Sequence, residues 1–333
     1  MKGTIEIRSF SSRALASNPL GDPTVRATPV YLPPGYADSR QRYPVVYFLH
    51  GFGSGAMSFL NPAGFSLNVP ERIDRLIDLG QLPPFIAVFI DGWTKLGGSQ
   101  WLNSSAVGNY ADYVVTDVVP WVDQSLRTVP QPSARAVVGK SSGGYGALVL
   151  GAHFPQVFGS VGCHSGDAYF EYGYLPEFPK AAGALRKSGG VEAWLKDFWA
   201  RAQATRMRGE DHATINIVAM AAAYSPEPSA PAGWEMPFEL STARIRPDIW
   251  EKWLLHDPVR FIPRHVASFQ ELQGLFLDCG TRDEFHLQWG ARMVCEEFRK
   301  HGVGVLYEEF DDGHMGINYR YDRSLMALVP GMS

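Results

Sequence analysis

One serine of this chain stands in a five-residue pattern that is typical of a catalytic nucleophile. Residues 139–143 read Gly-Lys-Ser-Ser-Gly, with Ser141 at the centre. A short apolar run, 136–138, precedes the pattern, and small residues at helical spacing, 147–152, follow it. Strand, sharp turn and helix is the context in which Gly-x-Ser-x-Gly forms a nucleophile elbow. The same pattern also occurs in ordinary glycine-rich turns, so a catalytic interpretation requires partners elsewhere in the chain.

An acid and a histidine follow Ser141 at the ends of two later predicted strands. Asp283 lies in the turn after the apolar run 274–280, and His314 comes directly after the last run, 303–310. Nucleophile, acid and then base is the chain order of Ser-His-Asp triads in α/β hydrolases. In such a triad His314 accepts the proton of Ser141, and Asp283 orients the ring and stabilises its charged form.

Other acids and histidines compete for these two roles. Asp167 follows the strand after the elbow helix and is the alternative acid. Asp278 lies inside a predicted strand, from which a side chain reaches His314 less easily than from a turn. His286 stands at a helix start and His164 at a strand end, and neither follows the last strand. The sequence therefore assigns the base to His314. It favours Asp283 as the acid and leaves Asp167 as the alternative.

A glycine-rich loop after an inner strand predicts a site for negative charge. The buried-type run 44–49 ends in His-Gly-Phe-Gly-Ser-Gly at 50–55. In a hydrolase of this plan, the backbone N–H groups of Phe52 and Ser142 would form the oxyanion hole. The alternative is a flexible loop around a structural His50. A second long loop, 93–109, is expected to line the pocket.

The elements around these residues predict an α/β-hydrolase fold, a mostly parallel twisted sheet with helices on both faces. Apolar runs typical of strands alternate with stretches of helical periodicity. The predicted strands are 3–10, 25–32, 44–49, 85–90, 136–138, 157–163, 274–280 and 303–310. The predicted helices of the core are 69–80, 115–126, 147–152, 287–300 and 319–328, and Pro120 predicts a kink or a late start in the second of these.

Residues 166–264 break this alternation. They mix aromatic residues, prolines and charges with helical pieces at 191–206 and 211–223, without a clear buried strand. We interpret them as a helical and irregular cap inserted into a single domain that comprises residues 1–333. Its tryptophans, among them Trp194, either form the core of the cap, which we favour, or face a substrate.

Composition excludes several classes of function. The chain has 333 residues, 45% hydrophobic and 19% charged, with a net charge of −4, which gives no electrostatic basis for binding nucleic acid. No apolar run reaches the roughly 18 residues of a membrane span, and residues 1–8 alternate like a strand rather than a signal peptide. Three scattered cysteines, Cys163, Cys279 and Cys295, suggest neither disulfides nor a metal site. We therefore expect a cytoplasmic protein without cofactor or metal; whether it forms homo-oligomers is left open.

These motifs resemble the Putative esterase (esterase D-like) family of α/β hydrolases, which includes S-formylglutathione hydrolases, feruloyl esterase domains, enterochelin esterases and mycolyltransferases. The matching positions are 30–36, 49–51, 139–147, 153–155, 165–166, 278–283 and 313–314. The resemblance implies that Ser141, Asp283 and His314 are the nucleophile, acid and base. The cap departs from the family pattern, so the resemblance does not identify the substrate.

The function expected from residues and resemblance together is hydrolysis of a small carboxylic ester through an acyl-enzyme on a serine. Two alternatives stay open at this stage. One is an acyltransferase of the mycolyltransferase type with the same triad, and the other is a catalytically silent binding protein of the same fold.

Overall fold

The computed structural model describes residues 1–332, which form ten strands and thirteen α-helices. The strands are β1 (Thr4–Ser11), β2 (Val25–Leu32), β3 (Val45–Leu49), β4 (Ile86–Ile90), β5 (Asn103–Ser104), β6 (Gly108–Asn109), β7 (Arg135–Lys140), β8 (Ser160–His164), β9 (Gly274–Gly280) and β10 (Leu306–Phe310). The helices are α1 (Val69–Asp78), α2 (Tyr110–Asp112), α3 (Val119–Ser125), α4 (Ser142–His153), α5 (Phe170–Gly173), α6 (Phe178–Ser188), α7 (Val191–Ala204), α8 (Asp211–Tyr224), α9 (Pro247–Leu254), α10 (Pro258–Phe261), α11 (Val266–Gln270), α12 (Leu287–Lys300) and α13 (Tyr321–Leu328).

Eight of the strands form one mostly parallel sheet in the order β1-β2-β4-β3-β7-β8-β9-β10. The pairs β1–β2 and β2–β4 are antiparallel, and every other neighbouring pair is parallel. The strand that leads into Ser141, β7, lies between β3 and β8 in the middle of this sheet. The predicted mostly parallel sheet is thus confirmed, and β5 with β6 forms a separate small hairpin that the sequence analysis did not predict.

Both faces of the sheet are buried under helices, and successive residues of β3 belong to different cores. Val46 and Phe48 belong to the hydrophobic cluster that contains α1 and α13, whereas Val45, Tyr47 and Leu49 belong to the cluster that contains α3 and α4. All five residues of β3 are 0% exposed, because a strand covered on both faces has no solvated side. This explains why its sequence is a continuous apolar run rather than an alternating one.

The carboxyl ends of the parallel strands meet at one edge of the sheet. The loop 50–55 follows β3, Ser141 follows β7, and Asp167 comes three residues after β8. Asp283 and His314 follow β9 and β10. The chain connectivity therefore brings Ser141, Asp283, His314, the alternative acid Asp167 and the loop 50–55 to the same edge.

The segment between β8 and β9 contributes seven helices, α5 to α11, and no strand to the sheet. Its buried side chains, including Trp194 and Trp253, form one continuous cluster with the α4 side of the sheet. Trp194 is 3% and Trp253 0% exposed, which favours the interpretation of these tryptophans as core. The cap boundaries at 166 and 264 stay a prediction.

Local chemistry explains the main differences between predicted and observed elements. The helix expected at 115–126 begins earlier, with α2 and a π-helical segment, Tyr113–Val118, and Pro120 stands in the first turn of α3. The helix is therefore continuous from α2 to α3 rather than late in starting, and the irregular π-helical segment lies directly before the proline region. The strand expected at 157–163 is β8, shifted to 160–164. No helix within residues 1–332 has the length and apolar character needed to cross a membrane.

Candidate active site

Ser141 occupies a strained turn between β7 and α4. Its backbone angles are φ 58° and ψ −129°, a combination that non-glycine residues rarely adopt. Its N–H donates to the carbonyl of His164 at 2.9 Å, and its own carbonyl accepts the N–H of Tyr145 at 2.9 Å. The strained backbone that the sequence analysis predicted at Ser141 is confirmed by these angles.

The two glycines of the pattern are required because backbone packs against them. A Cβ added at Gly143 would overlap the carbonyl oxygen of Leu49, and one at Gly139 would overlap the carbonyl of Gly143. A backbone carbonyl cannot swing aside as a long side chain can. The strand β3, the turn and α4 therefore approach as closely as glycine permits.

We expect Gly143→Ala to lower the free energy of unfolding by about 3 kcal/mol or more, because the methyl group can be placed only by moving backbone. The matched control is Gly183→Ala in α6, where an added Cβ meets nothing within 4 Å. That change is expected to raise stability by about 0.5–1 kcal/mol through helix propensity. Urea unfolding of both variants measures the difference; equal stabilities would contradict the close packing at the turn.

His314 is held by Asp283 at the same edge. His314 Nδ1 lies 2.7 Å from Asp283 Oδ2, and the two residues are 3% and 2% exposed. Asp283 Oδ1 accepts the N–H of Phe285 at 2.9 Å, so both carboxylate oxygens are engaged and the side chain cannot rotate freely. The Phe285 ring also packs edge-on against the imidazole at 4.9 Å. The orientation of the ring is thus determined by the turn after β9.

Two charged side chains that the sequence analysis did not single out hold the backbone of His314. Its N–H donates to Glu284 Oε2 at 2.6 Å, and its carbonyl accepts from Lys140 Nζ at 2.9 Å. Burial lowers the pKa of Lys140, and the carboxylates of Asp283 and Glu284 oppose that shift. Lys140 precedes Ser141 in the chain, and Glu284 follows Asp283. This adjacency to a candidate residue is the only feature of the sequence that could have pointed to Lys140 and Glu284.

The alternative acid, Asp167, does not bind His314. Its Oδ2 accepts from Gln100 Nε2 at 3.0 Å, from Tyr174 OH at 3.0 Å and from Ser142 Oγ at 3.2 Å. Burial raises the pKa of Asp167, while its hydrogen bonds from Gln100 and Tyr174 oppose the shift. Asp167 is thus part of a buried polar cluster beside the first residue of α4.

The remaining rivals lie outside this arrangement. His164 Nδ1 lies 2.7 Å from Asp278 Oδ1, and His164 Nε2 lies 2.8 Å from Ser324 Oγ, so these three residues form a Ser-His-Asp constellation of their own. All three are at most 1% exposed, and Asp278 also accepts from Arg320 Nε at 2.8 Å. A substrate has no access to them, and they join β8 and β9 to α13. His286 is exposed and precedes the first residue of α12.

The loop after β3 is held by a buried, neutral histidine. His50 Nε2 accepts the N–H of Gly92 at 2.9 Å, so the ring proton is on Nδ1, which donates to the carbonyl of Gly51 at 2.9 Å. Burial lowers the pKa of His50, which favours this uncharged form. Because the peptide is trans, the N–H of Phe52 points away from the ring that holds the Gly51 carbonyl. His50 is therefore a structural part of an ordered loop.

This loop lies against the turn at Ser141. A Cβ added at Gly51 would be 3.2 Å from the Cβ of Ser141. The Phe52 ring packs over Gly97 and Gly98, and the carbonyl of Gly97 accepts the N–H of Gly53 at 2.7 Å. The backbone that carries the Phe52 amide is thus held by the turn at Ser141 on one side and by Gly97 and Gly98 on the other.

These residues open into a single pocket of about 280 Å³. Ser141, Ser142, Asp167, His314 and Phe52 all line it, whereas Asp283 lies behind His314 and does not. The segment between β8 and β9 adds further lining side chains. His212 and Asn216 come from α8, and Ala168, Phe170 and Tyr174 come from the stretch that follows β8. The sequence analysis did not single out His212 or Asn216, because their role depends on the position of α8 over the sheet edge.

The prediction that residues 93–109 line the pocket is wrong. Trp101 is 1% exposed and packs against Gly92 and Gly146, where any Cβ would collide with its ring. The loop instead supports the pocket from behind, since Gln100 reaches Asp167.

Within residues 1–332, no group of three or more His, Cys, Asp or Glu side chains is arranged to hold a metal ion.

Known structures share this architecture. A ferulic acid esterase superposes with a TM-score of 0.63 at 17% identity, over 99% of this chain and 99% of its own. FphF, a fluorophosphonate-binding serine hydrolase of Staphylococcus aureus, superposes with a TM-score of 0.60 at 13% identity, over 100% of this chain and 99% of its own. At such identities the likeness establishes the fold, which is the α/β-hydrolase fold.

Comparison of sequences, unlike that of folds, shows which family the chain belongs to. An esterase of Mycobacterium tuberculosis strain H37Rv is 29% identical over 205 residues, which are 58% of this chain and 40% of that protein. The chain thus spans about two fifths of the length of this curated relative. The sequence profile of the Putative esterase family matches residues 23–316, from the second strand through the turn at Ser141 to His314. The chain therefore belongs to the Putative esterase family.

Proposed function

We propose that this protein is a serine carboxylic-ester hydrolase with Ser141 as nucleophile, His314 as general base and Asp283 as the acid that orients it. The observation that carries the proposal is the single pocket into which both Ser141 and a His314 held by Asp283 open. Family membership supports ester hydrolysis as the reaction class.

In the first step, Ser141 Oγ attacks the carbonyl carbon of the ester while His314 Nε2 accepts the hydroxyl proton. Asp283 binds Nδ1, so it selects the tautomer in which Nε2 is free to accept, and it stabilises the imidazolium that forms. His314 then returns the proton to the leaving alcohol, and an acyl-enzyme remains. Water, deprotonated by His314, attacks the acyl group and releases the carboxylic acid.

The negative charge that develops on the carbonyl oxygen requires N–H donors. Ser142 is the first residue of α4, so its N–H has no intrahelical acceptor. The Phe52 amide lies on the loop that packs against Ser141. We assign these two N–H groups to the oxyanion hole, since hydrogen-bond donors in place before the reaction stabilise that charge without reorganisation.

The substrate we propose is a small ester with an apolar group. Phe52, Phe170 and Phe285 line the pocket, and planar apolar groups pack well against such rings. The segment that we interpret as a cap adds polar contacts, His212 and Asn216, from α8. The acyl and alcohol parts of the ester would therefore bind between the sheet edge and α8, and the shape of this space would determine which esters fit.

The proposal predicts that the protein hydrolyses p-nitrophenyl acetate and that one equivalent of a fluorophosphonate stops the reaction. Both outcomes follow from an activated serine, because the phosphonylated Ser141 cannot accept an acyl group. Release of p-nitrophenol measures turnover, and mass spectrometry of the digested protein locates the adduct. A protein that neither turns over the ester nor takes the label would be a binding protein of this fold, and label on a serine other than Ser141 would overturn the assignment.

A further inference from the structure

A second cavity, of about 270 Å³, lies at the opposite end of α4 from Ser141. Helix α4 begins next to the nucleophile and ends at His153, which lines this cavity. The other lining residues lie on α4, in the segment 255–265 and, in one case, directly before β5. They are Leu102, Tyr145, Val149, Leu255, His256, Phe261, Arg264 and His265. None of these residues lines the pocket of Ser141, so the two cavities are distinct.

Four basic side chains are gathered around this cavity. The rings of His153 and His265 are 4.5 Å apart between centroids, and the His265 ring donates to the carbonyl of Ala152. Arg264 donates one hydrogen bond to the carbonyl of Leu255 at 2.7 Å, which leaves its other N–H groups available. His256 packs on the ring of Tyr224 at 5.2 Å between centroids.

No carboxylate balances this cluster. Within residues 1–332, none of the four basic side chains forms an ion pair with an Asp or Glu. The acid next to His256 in the chain, Asp257, accepts from the N–H groups of Tyr169 and Phe170 and from Arg260. Its carboxylate is therefore engaged away from the cavity, and the lining contains no acid.

The other part of the lining is apolar. Leu102, Val149 and Phe261 contribute aliphatic and aromatic surface, and the Tyr145 hydroxyl is already bonded to the carbonyl of His256 at 3.1 Å. A ligand that fits such a cavity has a negative charge at one end and an apolar body at the other. A fully hydrated inorganic anion would not use the apolar walls.

We propose that this cavity binds a small organic carboxylate, whose oxygens contact Arg264 and the imidazoles while its apolar part packs against Leu102, Val149 and Phe261. The proposal is independent of the esterase activity, because no residue of the cavity belongs to the proposed catalytic machinery.

Charge in the cavity links this binding to pH. Partial burial lowers the pKa of His153 and of His265, although the His153 side chain stays accessible to solvent, and Arg264 lowers both further by repulsion. Burial and repulsion from His153 and Arg264 lower the pKa of His256 to about 4. A bound carboxylate favours the charged imidazoles, so binding takes up protons and strengthens as pH falls from about 8 towards 6. Tyr145 stays neutral in this range, since burial raises its pKa.

Calorimetric titration with benzoate at pH near 8 and near 6 tests the proposal. Benzoate carries both the charge and an apolar body, benzyl alcohol carries the body alone, and inorganic phosphate carries the charge alone. We expect benzoate to bind with proton uptake, more tightly at the lower pH, and both comparison compounds to bind about tenfold more weakly or not at all. Phosphate binding without benzoate binding would overturn the choice of an organic carboxylate.

Variants locate the bound benzoate. Arg264→Gln and His153→Gln change exposed side chains and are expected to weaken binding about tenfold, whereas Arg299→Gln, an exposed arginine on α12, is expected to leave it unchanged. The titration is repeated on protein whose Ser141 is blocked by fluorophosphonate, which separates this cavity from the catalytic pocket. Equal affinity in Arg264→Gln, or loss of binding on blocking the serine, would show that benzoate binds elsewhere.

Discussion

Replacing Ser141 by alanine will lower kcat for ester hydrolysis by about 10⁴-fold or more while the protein stays folded. The change removes one oxygen atom, and with it the proposed acyl-enzyme route. The backbone hydrogen bonds of residue 141, to His164 and from Tyr145, do not involve that oxygen. Alanine also fits the space that the turn provides, because Ser141 already places a Cβ there.

Steady-state hydrolysis of p-nitrophenyl acetate measures the loss, and urea unfolding checks that the variant is folded. Ser268→Ala in α11, outside both cavities, is the control for purification and handling. If Ser141→Ala retains more than about a thousandth of the wild-type kcat, another group is the nucleophile.

The second large effect is expected at the acid. Asp283→Asn will lower kcat/KM by about 10⁴-fold, because an amide that donates to Nδ1 favours the tautomer with its proton on Nε2. That tautomer cannot accept the proton of Ser141. The substitution keeps the size of the side chain and an acceptor for the N–H of Phe285, so the turn after β9 retains its shape.

Asp167→Asn is the matched comparison, since Asp167 is also buried and lies at the same sheet edge but binds Gln100, Tyr174 and Ser142 instead of His314. We expect a much smaller loss of kcat/KM in this variant. Measuring both variants with the same ester ranks the two acids. A larger loss in Asp167→Asn would transfer the catalytic acid to the loop after β8.

Most of the sheet could be predicted because its strands carry local signals. The runs around Val45–Leu49 and Gly274–Gly280 are continuously apolar, and both become strands at nearly the predicted residues. The segment between β8 and β9 could be predicted only as an interruption. Its helices pack on one another, on α4 and on α12, so their positions depend on contacts that no local pattern encodes.

By itself the sequence determined the order of chemical groups along the chain and the strand ends that carry them. Gly139 and Gly143 predicted the turn at Ser141, because only glycine permits the backbone contacts there, and the predicted last strand led directly to His314. These are short-range requirements of backbone geometry, and the fold reproduces them.

Only the tertiary structure decided which acid binds His314 and what surrounds the pocket. Asp167 and Asp283 both follow parallel strands; the sequence favoured Asp283 and left Asp167 as the alternative, and the 2.7 Å contact with His314 belongs to Asp283. The contribution of α8 and the basic cavity behind α4 likewise bring together residues that are far apart in the chain, such as His153 and His265. Side chains from distant elements meet only where packing places those elements, and a linear pattern contains no information on that distance.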